Sequence, residues 1–181
     1  MYVSNLSRSL ETTLEIVWPR RCADRIYNFD DIGIPRGESI DVGDAFHRNF
    51  SRFLKDQWVP KEYLSTCIAL GLVIDDLGVE HYESEGTVAS ENLAGQCDLH
   101  GLDRLGRHWV FEIKTTQGDY IFPPRPSEII QMSLYASLLK VEDPIVACIR
   151  LNLKTRKIGV FVSRETQKLV QMASELIRDA A

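Results

Sequence analysis

The chain reads as an α/β domain, a central mixed β-sheet flanked by α-helices, and three observations predict it. Hydrophobic spacing is helical up to about residue 72 and changes to a period of two near Leu77. The elements then follow as helices, three strands, a helix, two strands and a helix, an order that encloses a sheet between helical layers. The 181 residues, 44% hydrophobic and 26% charged, amount to about one domain, with no internal repeat, low-complexity tract or linker.

Residues 4 to about 28 read as one or two helices, with Ser4 as a cap, apolar Leu10, Leu14 and Val17 at helical spacing, and a break at Pro19. After the turn-rich NFDDIGIPRGES a second helical pattern runs from near Asp41 to about Trp58, and KEYLSTCIALGL, residues 61 to 72, makes a third. A strand follows from about Leu77 to Glu85, then a hairpin over AGQCDLHGLDRLGRHWVFEIKTT, residues 94 to 116. Pro123, Pro124 and Pro126 mark a loop before the helix PSEIIQMSLYASLLK, which has Ser127 near its start. Residues 144 to 162 form a second hairpin turning at about Lys154 to Lys157, and the segment from about Arg164 is helical.

Composition excludes several classes. No apolar run approaches the roughly 20 residues of a membrane helix, and the N-terminal segment lacks the pattern of a signal peptide, so no membrane association and a cytosolic location are expected. Cys22, Cys67, Cys97 and Cys148 stand singly without a CxxC pair, which speaks for packing rather than a zinc site or a disulfide framework. A net charge of −5 argues against a broadly basic nucleic-acid coat but leaves room for a local basic groove.

The first hairpin carries charge where strands are otherwise apolar. A three-residue loop Arg104-Leu105-Gly106, with Gly106 in the left-handed position of a bulged turn, pairs Asp103 with Arg107. Every opposed pair then sums to 210, which sets Asp98 across from Glu112, with β-carbons roughly 5 Å apart. Alternation groups Cys97 and Leu99 with Trp109, Phe111 and Ile113 on one face, and Gln96, Asp98 and His100 with Glu112 and Lys114 on the other. Two opposed acids are unfavourable unless neutralised, and a divalent cation such as Mg²⁺ or Mn²⁺ would do so. Lys114 on the same face could orient or deprotonate a water or stabilise a phosphate. The same pattern also fits a hairpin face that simply meets water.

Asp98 followed by Glu112-Ile113-Lys114 resembles the signature of the PD-(D/E)XK nuclease superfamily, with Cys97 in place of the usual proline. Gln131 to Tyr135 is similar to the QxxxY element of its RecB-like, lambda-exonuclease-like branch. Gly43 to His47 resembles the GxxxH element, and Gly95 matches the small residue of GxxD. Without that context, Gln131 and Tyr135 would read as part of a core helix and His47 as an ordinary helical histidine. The resemblance covers roughly residues 41 to 140. It implies a restriction-endonuclease-like core with N-terminal helices: a single nuclease domain over 1–181, helical over about 1–72 and sheet-bearing over about 73–181.

It further implies a metal held by His47, Asp98, Glu112 and the Ile113 carbonyl, with Lys114 catalytic and Gln131 and Tyr135 supporting the site. The expected activity is metal-dependent hydrolysis of DNA phosphodiesters, foremost as an exonuclease on single-stranded DNA or DNA with a free end. An endonuclease acting on DNA or RNA, and a non-catalytic nucleic-acid-binding subunit, are the alternatives. Glu83 or Glu85 could match an upstream acid of the family. The late cysteine trio of iron–sulfur members is absent, so no such cluster is expected. Arg20, Arg21, Arg48, Arg52, Arg104, Arg107 and Arg125 could meet phosphates, and Phe46, Phe50, Phe53 and Tyr120 could stack on bases. The acidic charge and small size suit a subunit with a protein partner or a homo-oligomer.

Overall fold

A computed structural model of the chain describes residues 2–3, 5–6, 23–34, 39–90 and 93–163, with Gln171, Glu175 and Arg178. Most of the first expected helix and the C-terminal helix, with Ser4, Leu10, Arg20, Arg21 and Cys22, therefore lie outside the described residues. Six strands form one sheet in the order β1-β6-β5-β4-β3-β2. These are β1 (Arg25–Asn28), β2 (Val79–Ala89), β3 (Ala94–Asp103), β4 (His108–Thr116), β5 (Ile145–Asn152) and β6 (Lys157–Ser163). Among the described residues three further elements are traced in full, the helices α1 (Ser39–Leu54), α2 (Lys61–Asp76) and α3 (Pro126–Leu138). The sheet is mixed because β4 and β5 run parallel, joined by the crossover through α3, while all other neighbours are antiparallel. Among the described residues no helix is long and apolar enough to cross a membrane.

Two apolar layers sandwich the sheet. On one face Phe46 and Phe50 of α1 and Leu70, Val73 and Ile74 of α2 pack on Leu99, Phe111, Ile113, Ile149 and Leu151. On the other, Ile129, Met132, Leu134 and Tyr135 of α3 pack on Cys97, Val110, Val146, Cys148 and Phe161. β5 is buried along its whole length, as expected of a central strand covered on both faces. Cys67, Cys97 and Cys148 are free thiols inside these layers.

Several elements differ from expectation. Arg25–Asn28, read as the end of a helix, is strand β1, because it completes the sheet beside β6, with Ile26 opposite Gly159 and Asp24 accepting the Val162 N–H at 2.8 Å. Four residues are too few to show a period of two. α1 stops at Leu54 rather than near Trp58: Asp56 takes φ 53°, and the Gln57 N–H closes back on the Arg52 carbonyl at 2.9 Å, a left-handed helix end. α2 runs four residues past Leu72, since Val73 and Ile74 continue its buried face. β2 extends to Ala89 because β3 pairs with it over nearly its full length.

Candidate active site

The β3–β4 turn forms as its sequence demands. Gly106 has φ 72°, its N–H donates to the Asp103 carbonyl at 2.9 Å, and the Asp103 N–H donates to the Arg107 carbonyl at 3.0 Å. The ladder pairs Leu102 with His108, Gly101 with Trp109, His100 with Val110 and Leu99 with Phe111, so each pair keeps the expected sum. It stops one pair short of Asp98 and Glu112. There the Asp98 carboxylate takes the place of backbone pairing, Oδ2 accepting the Ile113 N–H at 2.8 Å.

The strict alternation expected for β3 fails at this same residue. Cys97 packs in the α3 layer, whereas Leu99, two residues on, packs in the α1–α2 layer. Cys97 therefore does not share a face with Leu99, Trp109, Phe111 and Ile113. The cause lies across the strand pair: β2 and β3 pair at Ser84–Leu99 and at Gly86–Cys97 but skip Glu85 and Asp98, and Glu85 sits in the left-handed region at φ 52°. This local twist aims Asp98 at the junction of the two layers, where it reaches α1. His47 Nδ1 lies 3.3 Å from Asp98 Oδ1, with 17% and 18% of the two side chains exposed.

Glu112 lies in β4 beside Cys148, and Lys114 beside Arg150, on the α3 face of the sheet. The Glu112 side chain is wholly enclosed. The Lys114 ammonium makes an ion-pair contact with Oε1, the one counter-charge set directly against this carboxylate among the described residues. Above this pair, Gln131 Nε2 donates to the Tyr135 hydroxyl at 3.0 Å, the two residues one helical turn apart on α3. Gly95 makes room for that ring, since a Cβ there would lie 2.7 Å from Tyr135 Cε1 and 2.9 Å from Val3.

The electrostatics follow from enclosure. Burial raises Asp98 above the ordinary carboxylate range against the pull of Lys114 and the Ile113 N–H, and burial followed by the Asp98 charge raises Glu112. Burial alone would lower Lys114, but the Glu112 and Asp98 charges outweigh it and keep it an ammonium. Burial, then the Lys114 charge, lowers His47 and favours the neutral imidazole that ligates metals. The Glu85 charge acts on both His47 and Asp98, whereas Glu83 lies 3.7 Å from His100 with 69% of its side chain exposed.

A divalent cation suits this donor set: an enclosed carboxylate, a second carboxylate beside it, and a neutral imidazole. Among the described residues no three His, Cys, Asp or Glu side chains form a ready-made cation shell. The reason is visible in their present partners: Glu112 faces Lys114, and Asp98 faces His47 and the Ile113 N–H.

The expected basic residues divide. Arg104 and Arg107 stand at the turn end of the hairpin, away from Asp98, where Arg104 pairs with Glu80 at 2.6 Å and Arg107 with Asp103 at 2.7 Å. Arg48 and Arg52 are exposed on α1 one turn apart, and Arg125 is exposed at the start of α3. Phe46 and Phe50 are core residues and Phe53 packs partly buried against them, so of the four expected stacking aromatics the exposed one is Tyr120. A shallow pocket lined by Asp31, Gly33, Lys61 and Glu62 shares no residue with the site.

Sequence reasoning missed Glu128 and Arg150. Arg150, the ladder neighbour of Lys114, forms a two-pronged pair with Glu128 at the start of α3, Nη1 to Oε1 at 3.1 Å and Nη2 to Oε2, and Nη2 reaches the Pro123 carbonyl at 3.3 Å. Both side chains are nearly buried, and Glu128 Oε2 also accepts the Arg125 N–H at 2.7 Å. The pair fastens α3, with Gln131 and Tyr135, to the strand beside Lys114. A lone Arg in an apolar strand and a Glu in a first helical turn were its separate signals.

No protein-family model matches the chain, and no curated protein matches it. Among solved structures it is similar to a phage-related exonuclease from Haemophilus somnus 129PT, with a TM-score of 0.44, 14% identity, and coverage of 82% of this chain and 86% of that one. It is also similar to the protein SSO0001, with a TM-score of 0.43, 16% identity, and coverage of 99% and 74%. Both likenesses are remote.

Proposed function

We propose that the protein is a divalent-metal-dependent nuclease of the PD-(D/E)XK type that hydrolyses DNA phosphodiester bonds, acting as an exonuclease on single strands. The observation that carries this reading is Glu112, fully enclosed beside a second buried acid, Asp98, and in contact with the Lys114 ammonium. An acid so placed is costly to a fold that gains nothing from it.

Asp98, Glu112, His47 and the Ile113 carbonyl would hold Mg²⁺ or Mn²⁺, whose chemistry is to polarise the scissile phosphate and make water nucleophilic at neutral pH. Asp98 orients the site through the Ile113 N–H, and His47 closes it from the α1 side. Lys114, held as an ammonium, places the attacking water and offsets the charge that develops on the phosphate. Gln131, braced by Tyr135, would support the strand, and the exposed Arg48, Arg52 and Arg125 would serve as phosphate contacts.

The test is cleavage of linear and circular, single- and double-stranded DNA with Mg²⁺ or Mn²⁺, with Lys114→Ala as control. Linear single strands should be shortened by the wild type and spared by the variant. Cut circles would replace the exonuclease reading with an endonuclease. No cleavage of any DNA or RNA, with nucleic-acid binding unaltered by Asp98→Ala, would replace it with a binding subunit.

A further inference from the structure

The loop from β4 to α3, residues 117–125, holds two large aromatic rings in solvent. Tyr120 is 71% and Phe122 61% exposed, edge to face with ring centres 6.2 Å apart. The backbone beneath them is fastened at several points. Asn152 Nδ2 donates to the carbonyls of Gly118 at 3.0 Å and Tyr120 at 3.2 Å. Arg150 reaches the Pro123 carbonyl, and Lys154 pairs with Asp119. Ile121, between the rings, enters a notch on β6 that exists because residue 159 is glycine: a Cβ there would lie 2.6 Å from Ile121 Cγ2. With Ile121 turned inward, Tyr120 and Phe122 are turned outward.

The same ties fix where the rings stand. In the β4–β5 ladder Arg150 lies beside Lys114 and Asn152 beside Thr116. Alternation puts Arg150 and Asn152 on one face with Glu112 and Lys114. The Tyr120 carbonyl thus hangs from a position only two residues, roughly 7 Å, beyond the neighbour of Lys114. Arg125, also exposed, ends the loop.

We propose that Tyr120 and Phe122 form a stacking platform for an unpaired nucleobase of the strand whose phosphodiester lies at Asp98, Glu112 and Lys114. This rests on the nuclease reading and adds to it what selects a single strand. A paired base is already stacked within its duplex, whereas an unpaired one gains from an aromatic face regardless of its identity. The fastened loop holds the rings ready, so little order has to be gained on binding.

The experiment compares the full chain with Tyr120→Ala/Phe122→Ala and with Tyr120→Phe, all with Mn²⁺. The substrates are a linear single strand, the same strand with a run of abasic residues at its end, and the chromogenic diester bis(p-nitrophenyl) phosphate. The double variant should lose about tenfold or more in kcat/KM on the base-bearing strand, chiefly through KM. It should match wild type on the abasic strand and the small diester, and Tyr120→Phe should behave as wild type. Unchanged cleavage of the base-bearing strand by the double variant overturns the platform and leaves the nuclease standing. An equal fall on the small diester, or a fall in Tyr120→Phe as deep as in the double variant, also overturns it. A wild type that cleaves none of the substrates removes the nuclease reading and the platform with it.

Discussion

Replacing Asp103 by asparagine should loosen the hairpin that sets the acids of the site in register. Asp103 Oδ1 accepts the N–H groups of Leu105 at 2.9 Å and Arg107 at 3.0 Å, and Oδ2 accepts Arg107 Nε at 2.7 Å and Trp109 Nε1 at 3.0 Å. Burial opposes its ionisation, but these donors, Trp109 first, prevail and hold the carboxyl at about 2, below the ordinary 3.8. At about 1.4 kcal/mol for each tenfold change in proton affinity, that difference corresponds to about 2 kcal/mol of stability. The Asp103 side chain is 3% exposed, so most of this survives; the Arg107 share, with that side chain 39% exposed, is screened. Because the folded-state value is depressed, the contribution is complete above about pH 4 and is lost as pH falls through about 2. The Asp103→Asn variant would keep one acceptor oxygen for the backbone donors but turn an amide N–H₂ toward the Trp109 and Arg107 donors, costing roughly 2 to 4 kcal/mol at neutral pH. Urea unfolding followed by fluorescence should show that gap at pH 5, and about 1 kcal/mol less of it at pH 3. A gap under about 0.5 kcal/mol, or one equal at both pH values, would refute the role assigned to Asp103.

Gly95→Ala should displace the Tyr135 ring or Val3, lowering stability by roughly 1 to 3 kcal/mol, as thermal unfolding would record, and the cleavage proposed above should fall with it. Breaking the buried pair with Glu128→Gln should destabilise the fold by roughly 3 kcal/mol, because Arg150 is left enclosed without its counter-charge, and chemical denaturation measures this. In EDTA the wild type should lose stability as pH rises from about 4 toward neutrality. Asp98 and Glu112 have folded-state values raised above their unfolded ones, so deprotonation favours the unfolded chain. Glu112→Gln should flatten that melting profile, and Mn²⁺ should raise the wild-type melting temperature more at pH 7.5 than at pH 5; identical profiles with and without Glu112 would contradict this account.

Features that depend on neighbours along the chain are legible in the residues alone. Gly106 in its left-handed turn sets the β3–β4 register, the Gln131–Tyr135 spacing sets one face of α3, and the change from helical spacing to a period of two marks where the sheet begins. These follow from short-range sterics and hydrogen-bond geometry, which a local sequence carries in full. Features that depend on partners far along the chain come from packing. β1 is a strand because β6, more than a hundred residues later, offers it an edge. Cys97 and Leu99 part to opposite layers because Glu85 on the neighbouring strand twists the pairing at Asp98. Arg104 and Arg107 face Glu80 and Asp103 rather than the site, while Arg150 joins Glu128 and Asn152 fastens the loop bearing Tyr120. A charge takes its role from whichever counter-charge or dipole the fold brings to it, and that partner is fixed by packing across the sheet rather than by the residues beside it in sequence.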